Sequence, residues 1–364
     1  MNIYTSTFYL NNYGSVLQAY ALQSKLKELG ADPYIILPQS EPANSKCSFF
    51  TKLRNFLSPE KHYGIIRKVK RYMQRKILAE KLRKINGFAS RNLNFISYND
   101  ILNCMKKPCC MLAGSDQIWN IIDRPINSLY LFGFVKNENI KKYSYAASIG
   151  LQNLDDEQKR YYKRVLSDFS VVSFREKAAK ELLGGMLENN VRDDIDPTLL
   201  WDEFFWEKIV SERQHNGRYI FIYMLRPDRK LIKIARKLSR VTGFDIIFTG
   251  QFCDKYTNIK TVSDAGPEEF LSYIKNAQIV VTNSFHGTVF SVLFGKKFVS
   301  VKIQSTGSRA ENLLTMLHLE DHLISKSSDW KIALDNINYS DVNKKLNSER
   351  KKSEEYLKSI VEGN

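Results

Sequence analysis

The sequence is poor in cysteine and has no long apolar runs, and each shortage excludes a class of protein. Its 364 residues include five cysteines, at positions 47, 104, 109, 110 and 253, and no CxxC pair. This spacing fits neither a disulfide scaffold nor a zinc site, so we expect free thiols in a reducing compartment. No apolar run is long enough to span a bilayer, and the first residues lack the basic and apolar regions of a signal peptide. These absences predict a cytoplasmic protein.

Several nucleotide and metal motifs are also missing. The chain contains no G-x-x-x-x-G-K-[ST], no complete G-x-G-x-x-G after a strand and no H-E-x-x-H. These absences disfavour P-loop NTPases, dinucleotide oxidoreductases of the usual kind and zinc hydrolases. We therefore expect neither a metal site nor a redox cofactor.

Acidic residues are few in one segment, and that segment accounts for most of the net charge of +16. Residues 51–92 hold 13 Lys or Arg and two acids, Glu60 and Glu80, which gives 13 − 2 = +11. Ile65, Val69 and Met73 follow one another at helical spacing within this segment. The pattern predicts a basic amphipathic helix in an insertion at about 45–95.

Three roles are open for the basic segment. Its apolar face can dock on its own domain, leaving the lysines in solvent. It can instead bind an anionic membrane surface, where each basic residue contributes about 1 kcal/mol. Nucleic acid is the least favoured partner and we expect none, because no DNA- or RNA-binding motif accompanies the charge.

Short apolar runs alternate with helical patterns along the rest of the chain. The start reads as a strand, a turn, a helix capped by Ser15 and ended by Gly30, and a second strand. The alternation restarts at "RYIFIYML", near residue 216. Strands that alternate with helices favour parallel sheets covered on both faces. We predict an α/β protein with two Rossmann-like, doubly wound domains that face a cleft: residues 1–215 with the insertion, and residues 216–364 ending in a charged helix.

Three loops that follow apolar runs contain candidate functional residues, because ligands gather at the carboxyl ends of parallel strands. The first loop contains Gly14, which precedes a helix and lets backbone N–H groups approach an anion; a plain turn is the alternative. The other two are "AGSDQIWN", with Ser115, Asp116 and Gln117, and "TNSFHG", with Asn283, Ser284 and His286. Asp116 suits a helix cap, a sugar hydroxyl or a catalytic partner. His286 suits a strand end or proton transfer.

Two arginines occupy comparable positions on either side of the restart. Arg175 follows the apolar run "VVSF", and Arg309 precedes a helix in "STGSRAENLL". Arginine binds carboxylate and phosphate through two parallel hydrogen bonds. The pair suggests an anionic substrate in the cleft.

Six stretches, taken in order, resemble the bacterial polysaccharide pyruvyl transferase family. They are "NYGSVLQAYALQ", "AGSDQIWN", "YSYAASIG", "VVSFREKAAKELL", "DPTLLW" and "TNSFHGTVFSVLFGKKFVSV", and they run from about residue 10 to about residue 320. The resemblance implies a GT-B-like fold with the active site between two domains. It also implies transfer of the enolpyruvyl unit of phosphoenolpyruvate (PEP) to a sugar diol, which forms a pyruvate ketal and releases phosphate. No cofactor is required, since PEP is a substrate.

The resemblance also implies roles for individual residues. By it, His286 acts as an acid or base, Arg175 binds PEP and Asp116 belongs to the site. Many members read "SRLHG" where this chain reads "NSFHG", so that Ser284 stands in place of an arginine. Arg309 is our candidate to replace that charge.

The expected partners are PEP and a saccharide acceptor carried on a lipid at the inner membrane face, where capsule and exopolysaccharide repeats are commonly assembled. Two other functions remain open. One is a GT-B glycosyltransferase that uses a nucleotide sugar, because a fold does not fix its chemistry. The other is a catalytically idle glycan-binding protein.

Overall fold

The structure is a computed structural model that describes residues 1–10, 12–38, 65–122, 125–188, 190–250, 259–303 and 308–363. For residues 65–74 and 308 it describes the backbone alone.

The first half of the chain forms a parallel sheet, here called the first sheet. Its described strands lie in the order β3-β2-β1-β4-β5-β6-β7. They are β1 (Asn2–Ser6), β2 (Asp32–Ile36), β3 (Phe95–Ile96), β4 (Cys109–Ala113), β5 (Lys142–Ser144), β6 (Val171–Phe174) and β7 (Asn190–Asp193). The helices between them are α1 (Tyr13–Glu28), α2 (Ile65–Asn92), α3 (Tyr98–Cys104), α4 (Asp156–Leu166) and α5 (Lys177–Leu183).

The second half forms another parallel sheet, the second sheet, in the order β10-β9-β8-β11-β12-β13. Its described strands are β8 (Tyr219–Met224), β9 (Asp245–Gly250), β10 (Lys260–Thr261), β11 (Ile279–Thr282), β12 (Lys297–Val301) and β13 (Leu323–Ile324). The helices are α6 (Glu203–Glu207) before the sheet, then α7 (Arg229–Thr242), α8 (Pro267–Lys275), α9 (Phe285–Leu293), α10 (Ser308–Leu317) and the last one, α11 (Tyr339–Glu362).

Both sheets are buried on their two faces. In β1, Ile3 packs in one hydrophobic cluster and Tyr4 in another; in β8, Phe221 and Ile222 divide in the same way. Because successive side chains of a strand point to opposite faces, apolar clusters must cover each sheet on both sides. Ile3 and Phe221 share one cluster, which joins the two halves. The predicted α/β fold with two doubly wound, GT-B-like halves is confirmed, and the boundary at residue 215 stays a prediction.

The start of α1 differs from the expectation. The N-cap is Asn12, whose side chain accepts a hydrogen bond from Ser15 N at 3.1 Å, while the Ser15 hydroxyl accepts one from Asn12 N at 2.9 Å. Ser15 is thus the third residue of a reciprocal capping box and not the cap itself. Gly14 consequently lies inside the first turn. Gly30 follows the helix with a φ of 88°, the conformation expected at a helix end.

Helix α2 lies in the predicted basic insertion, and its carboxyl-terminal part docks on the protein. Ile85 and Phe88 are buried in the cluster shared by both halves. Lys84 forms an ion pair with Glu269 of α8 at 2.8 Å, and Arg91 forms one with Glu268 at 2.8 Å. The apolar face of this part of the helix is therefore docked, as one alternative predicts, but Lys84 is paired with the second half and does not lie free in solvent. The rest of the insertion, residues 39–64 and the side chains of 65–74, lies outside the described residues.

Helix α11 returns to the first sheet. Its Tyr356 hydroxyl donates to Ser144 O at 2.8 Å, and its Ser353 hydroxyl donates to Asp194 at 3.0 Å. Arg350 Nε donates to Leu199 O at 2.7 Å. The predicted charged terminal helix is present, and it fastens the end of the second half to the first.

Two sequence expectations concern membranes and cysteines. In the described part of the chain, no helix combines the length and the apolar character needed to cross a membrane. Cys104, Cys109 and Cys110 are free thiols. Cys47 and Cys253 lie outside the described residues.

Candidate functional site

The carboxyl ends of the two sheets face each other, and α1 and α9 meet there at their N-termini. A Cβ added to Gly14 would lie 2.0 Å from Nδ1 of His286, so only glycine leaves room for the imidazole. The neighbouring Tyr13 donates its hydroxyl to Ala265 O at 2.8 Å across the same gap. Gly14 and His286, which the sequence singled out separately, are thus in direct contact. Because helix N-termini carry partial positive charge, this junction favours an anion.

His286 is the second residue of α9, whose N-cap is Ser284, so it lies in the first turn of a helix and not at a strand end. Its side chain is buried, and its Nε2 lies 3.7 Å from Oδ2 of Asp196, too far for a hydrogen bond. Nε2 has no hydrogen-bond partner among the described residues. A buried imidazole nitrogen without a partner is available to a ligand.

Asp196 is a buried carboxylate that several hydrogen bonds hold in place beside His286. Its Oδ1 accepts from the Thr198 backbone N at 3.0 Å and from the Thr198 hydroxyl at 2.6 Å, at the start of a short 3-10 helix. Its Oδ2 accepts from Arg175 Nη1 at 2.7 Å and from the Ser115 hydroxyl at 3.3 Å. Both carboxylate oxygens are therefore committed to partners within the first half.

The charges around Asp196 hold it ionised. Burial alone would raise the pKa of Asp196, but His286, Arg175 and the Thr198 hydrogen bond together hold that pKa well below its usual range. Arg175 shows the reciprocal effect: burial would lower its pKa, yet Asp196 and Asp116 raise it above the ordinary value. The pair is therefore a fixed, fully charged unit.

Asp116 lies between the two candidate arginines. Its Oδ1 is 3.6 Å from Nη2 of Arg175 and 3.8 Å from Nη1 of Arg309, and it accepts from the Gln117 backbone N at 2.9 Å. The residue has a φ of 78°, a left-handed conformation that is rare outside glycine and enriched in Asp and Asn. It caps no helix, so that alternative is wrong. A parallel bridge from Asp116 to Ala147 fixes the turn instead.

Arg309 belongs to the same cluster as Arg175, although it comes from the second half. The guanidinium carbon of Arg309 lies 5.6 Å from the ring centre of Phe285, and that of Arg175 lies 4.9 Å from it. Burial, and next the charge of Arg175, lower the pKa of Arg309 to about 10. Arg309 is the second residue of α10 rather than a residue before it. The structure thus brings Arg309 next to Phe285, which directly follows the position where Ser284 stands in place of the expected arginine.

The cluster is rich in buried donors that have no acceptor. Among the described residues, Nε and Nη2 of Arg175, Nε of Arg309 and Nε2 of His286 have no hydrogen-bond partner. Buried polar groups in folded proteins are nearly always bonded, and leaving one unpaired costs about 1–3 kcal/mol. Four such nitrogens in one place indicate a site for an anionic ligand.

The remaining predicted site residues differ in whether their side chains already bond within the protein. Asn283 bridges two loops of the second sheet, accepting from Leu225 N at 2.9 Å and donating to Arg226 O at 2.7 Å. The Ser115 and Ser284 hydroxyls also bond within the protein, whereas Nε2 of Gln117 has no partner. Trp119, a residue type suited to sugar stacking, is fully buried in the core. Substrate binding by these polar residues stays a prediction.

Sequence reasoning missed two acidic residues, Asp196 and Glu176. Both lie in stretches that carry the family resemblance, "DPTLLW" and "SFREK", but neither received a role. Asp-Pro reads as an ordinary helix start, and Glu after Arg reads as an exposed residue. Within the described residues, no group of three His, Cys, Asp or Glu side chains is arranged to hold a metal ion.

Comparisons with known proteins identify a family and a fold. A family model described as polysaccharide pyruvyl transferase matches residues 12–305. No curated protein sequence shows a significant match. Among solved structures, the UDP-GlcNAc 2-epimerase of Neisseria meningitidis bound to UDP-GlcNAc is 11% identical with a TM-score of 0.51, covering 97% of this chain and 94% of that one. A putative UDP-N-acetylglucosamine 2-epimerase from Listeria monocytogenes is 10% identical with a TM-score of 0.51, covering 95% and 90%. At such identities the two structures establish the fold alone.

Proposed function

Because the chain belongs to the polysaccharide pyruvyl transferase family, we propose that it transfers the enolpyruvyl group of PEP to a sugar diol of a polysaccharide repeat, forming a pyruvate ketal and releasing phosphate. The observation that carries the proposal is the set of four buried donors without acceptors, on Arg175, Arg309 and His286. PEP carries a carboxylate and a phosphate, and both are acceptors at neutral pH. A ligand of this kind satisfies every one of these donors.

The two arginines bind and orient the donor substrate in this scheme. Arg175 is held by Asp196, so its free Nε and Nη2 keep a fixed direction. Arg309 supplies the positive charge that Ser284 cannot, and an anion would relieve the repulsion between the two guanidinium groups. Fixing PEP in this way lowers the entropic part of the barrier.

His286 supplies the proton in the same scheme. Attack at C2 of PEP requires protonation at C3, and an imidazolium near a carboxylate and a phosphate is stabilised in its charged form. Oδ2 of Asp196 lies 3.7 Å from Nε2 of His286, so a carboxylate faces the ring as well as the substrate anions while the ring holds the proton. Gly14 lets the ring approach the α1 backbone, where substrate anions would also be favoured. Asp116 would hold the arginines in place or bind an acceptor hydroxyl.

The first experiment is PEP-dependent phosphate release with galactose and mannose acceptors, both lipid-linked and as methyl glycosides. We expect His286→Asn to lower the rate at least about 100-fold, the lower range for general acid catalysis. His318→Asn is the matched control, because His318 is exposed and remote from the cluster, and Asn tolerates its positive φ. Equal rates for wild type and His286→Asn would remove His286 from the chemistry.

The same assay separates the rival functions. Competition for the site by nucleoside diphosphates, with no effect of PEP, would identify a nucleotide-sugar glycosyltransferase. Glycan binding without phosphate release would identify a binding protein. Saturable PEP binding with acceptor-dependent phosphate release supports the transferase alone.

We also propose that the acceptor is lipid-linked and that α2 brings the enzyme to an anionic membrane surface from the cytoplasm. Ile77, on the apolar stripe of α2, is 36% exposed, and Arg75 and Lys76 beside it are exposed. An apolar side chain flanked by cations is typical of interfacial helices.

Flotation with vesicles that contain anionic lipid tests the membrane proposal. Replacement of the six basic residues between 67 and 76 by Gln should reduce binding about 100-fold or more, because each contributes about 1 kcal/mol near such a surface. Gln at Lys344, Lys351 and Lys358 of α11, all exposed, is the control. Equal binding by wild type and the α2 variant would contradict the proposal.

A further inference from the structure

One buried carboxylate in the cluster has an oxygen with no donor. Glu176 is 0% exposed, and its Oε2 has no hydrogen-bond partner in the part of the chain that the structure describes. Its Oε1 accepts from the Ser148 hydroxyl, which fixes the carboxylate. No ion pair of Glu176 is found among the described residues, whereas Asp116 and Asp196 both lie within 4 Å of arginine nitrogens (3.6 Å and 2.7 Å).

Glu176 lies at the same edge of the first sheet as the candidate site. Ser148, its partner, donates its backbone N–H to Asp116 O at 2.9 Å, and Arg175 N donates to Ala147 O at 3.0 Å. The chain segments around residues 116, 147 and 175 are therefore side by side. The charge of Glu176 acts on the pKa of Arg175 and of Arg309, after the larger effects of burial and the nearer charged groups.

PEP cannot satisfy this oxygen. The groups by which PEP is bound are acceptors, so they fit the arginines and His286 and are repelled by a carboxylate. Oε2 of Glu176 needs a donor, and Nε2 of Gln117, also without a partner, needs an acceptor. Gln117 is anchored in the same turn, since its backbone N donates to Asp116. A hydroxyl group both donates and accepts, and a sugar diol is the substrate that has hydroxyl groups.

We propose that Glu176 binds the attacking hydroxyl of the sugar acceptor and takes its proton, with Gln117 beside it on the acceptor side of the site; this rests on the proposed transferase function. Asp116 is the obvious competitor for that role, but its Oδ1 already accepts from Gln117 N and lies between two arginines. Glu176 is the carboxylate of the cluster that has no ion pair among the described residues and whose unbonded oxygen is fully buried.

The proton transfers balance over the reaction. In the first step the hydroxyl proton moves to Glu176, the oxygen bonds to C2 of PEP, and the C2–C3 π electrons take a proton from the His286 imidazolium. In the second step the other hydroxyl bonds to C2 and returns a proton to His286, while the bond from C2 to the phosphate oxygen breaks. The proton on Glu176 leaves with the phosphate, and both residues regain their starting states.

The test compares Glu176→Gln with wild type in two measurements, PEP binding by calorimetry and phosphate release with the galactose and mannose acceptors. We expect kcat to fall at least about 100-fold, as for loss of a general base. The dissociation constant of PEP should stay within about threefold, because no donor to PEP is removed. Glu176→Asp, which keeps the carboxylate, should recover part of the lost kcat. Glu181→Gln, an exposed change on α5, is the matched control and should behave as wild type.

The outcomes distinguish this inference from the proposed function. A Glu176→Gln kcat within about threefold of wild type overturns the role of Glu176. PEP binding lost together with kcat also overturns it, because the residue then supports the donor site; retained PEP binding shows at once that the variant is folded. If wild type itself releases no phosphate with any acceptor, the transferase function fails, and the role of Glu176 fails with it.

Discussion

Two arginines lie close to one phenylalanine, Phe285, yet they come from different halves of the molecule and are held differently. Arg175 follows β6 of the first sheet and donates to Asp196 at 2.7 Å; its pKa is raised, because the nearby carboxylates outweigh its burial. Arg309, in α10 beside the second sheet, has Asp116 at 3.8 Å, and burial and Arg175 lower its pKa to about 10. Arg175 is paired by the fold, whereas the nearest carboxylate to Arg309 lies 3.8 Å away and the proposed anion would give it a closer partner. The first should matter most for stability and the second for affinity.

The largest effect is expected from Arg175→Met. The change leaves Asp196 buried without its cation, and removing one partner of a buried ion pair costs about 3–5 kcal/mol. Urea unfolding measures the loss as a fall in the free energy of unfolding. Arg229→Met, at an exposed position at the start of α7, should change it by less than about 0.5 kcal/mol. Similar values for the two variants would contradict the view that Arg175 is paired for stability.

Asp196→Asn should remove the close carboxylate that Arg175 has and Arg309 lacks. We expect a loss of about 1.5–3 kcal/mol at pH 7, the range for hydrogen bonds to charged groups. The pKa of Asp196 is depressed in the folded protein, so its contribution is complete above the ordinary carboxyl pKa of about 3.9 and is lost as the pH falls through the lower folded value. Unfolding at pH 7, 5 and 3 measures this. A difference between the variants that shrinks already between pH 7 and 5 would disagree with a depressed pKa.

Arg309→Met should change the affinity for PEP more than the stability, the opposite of what we expect for Arg175→Met. A methionine removes a buried charge that has no close partner, so the free energy of unfolding should change by less than about 1 kcal/mol. The dissociation constant of PEP should rise about tenfold or more, since a charge-assisted hydrogen bond contributes about 1.5–3 kcal/mol. Calorimetric titration with PEP checks it. Unchanged affinity would remove Arg309 from the donor site.

The smallest effect on stability is expected at an exposed ion pair, here called the rim. It is formed by Arg91 of α2 and Glu268 of α8, which also join the two halves. Arg91 is 62% exposed, and exposed ion pairs contribute about 0–1 kcal/mol. Arg91→Gln should lower the free energy of unfolding by no more than about 0.5 kcal/mol, and less in 0.5 M salt. A loss comparable with that of Arg175→Met would show that the rim, and not the buried cluster, holds the halves together.

The order of elements and the edge that carries the site could be predicted from the sequence. Alternation of apolar strands and helices is a local pattern, and the rule that ligands gather at carboxyl ends then places Asp116, Arg175 and His286 at that edge. Helix starts were less accurate: Asn12 and Ser284 cap α1 and α9, so Gly14 and His286 lie within the first turns.

The pairing within the site could not be predicted, because it depends on strand order and on contacts between halves. Asp196 meets Arg175 because β6 and β7 are adjacent, and it nears His286 because the two sheets face each other. Gly14 and His286 are far apart in sequence, and no local pattern connects them. That Oε2 of Glu176 has no donor among the described residues can be seen only once the partners of every buried oxygen are known.

The return of α11 to the first sheet has a consequence for synthesis on the ribosome. Ser353 donates to Asp194, 159 residues earlier in the chain, and Tyr356 stacks on Tyr145 with ring centres 6.4 Å apart. The first half therefore emerges long before the helix that covers its Asp194 and Tyr145. Nascent domains usually fold in order of emergence. Here the half that is made first stays partly uncovered until α11 has been translated.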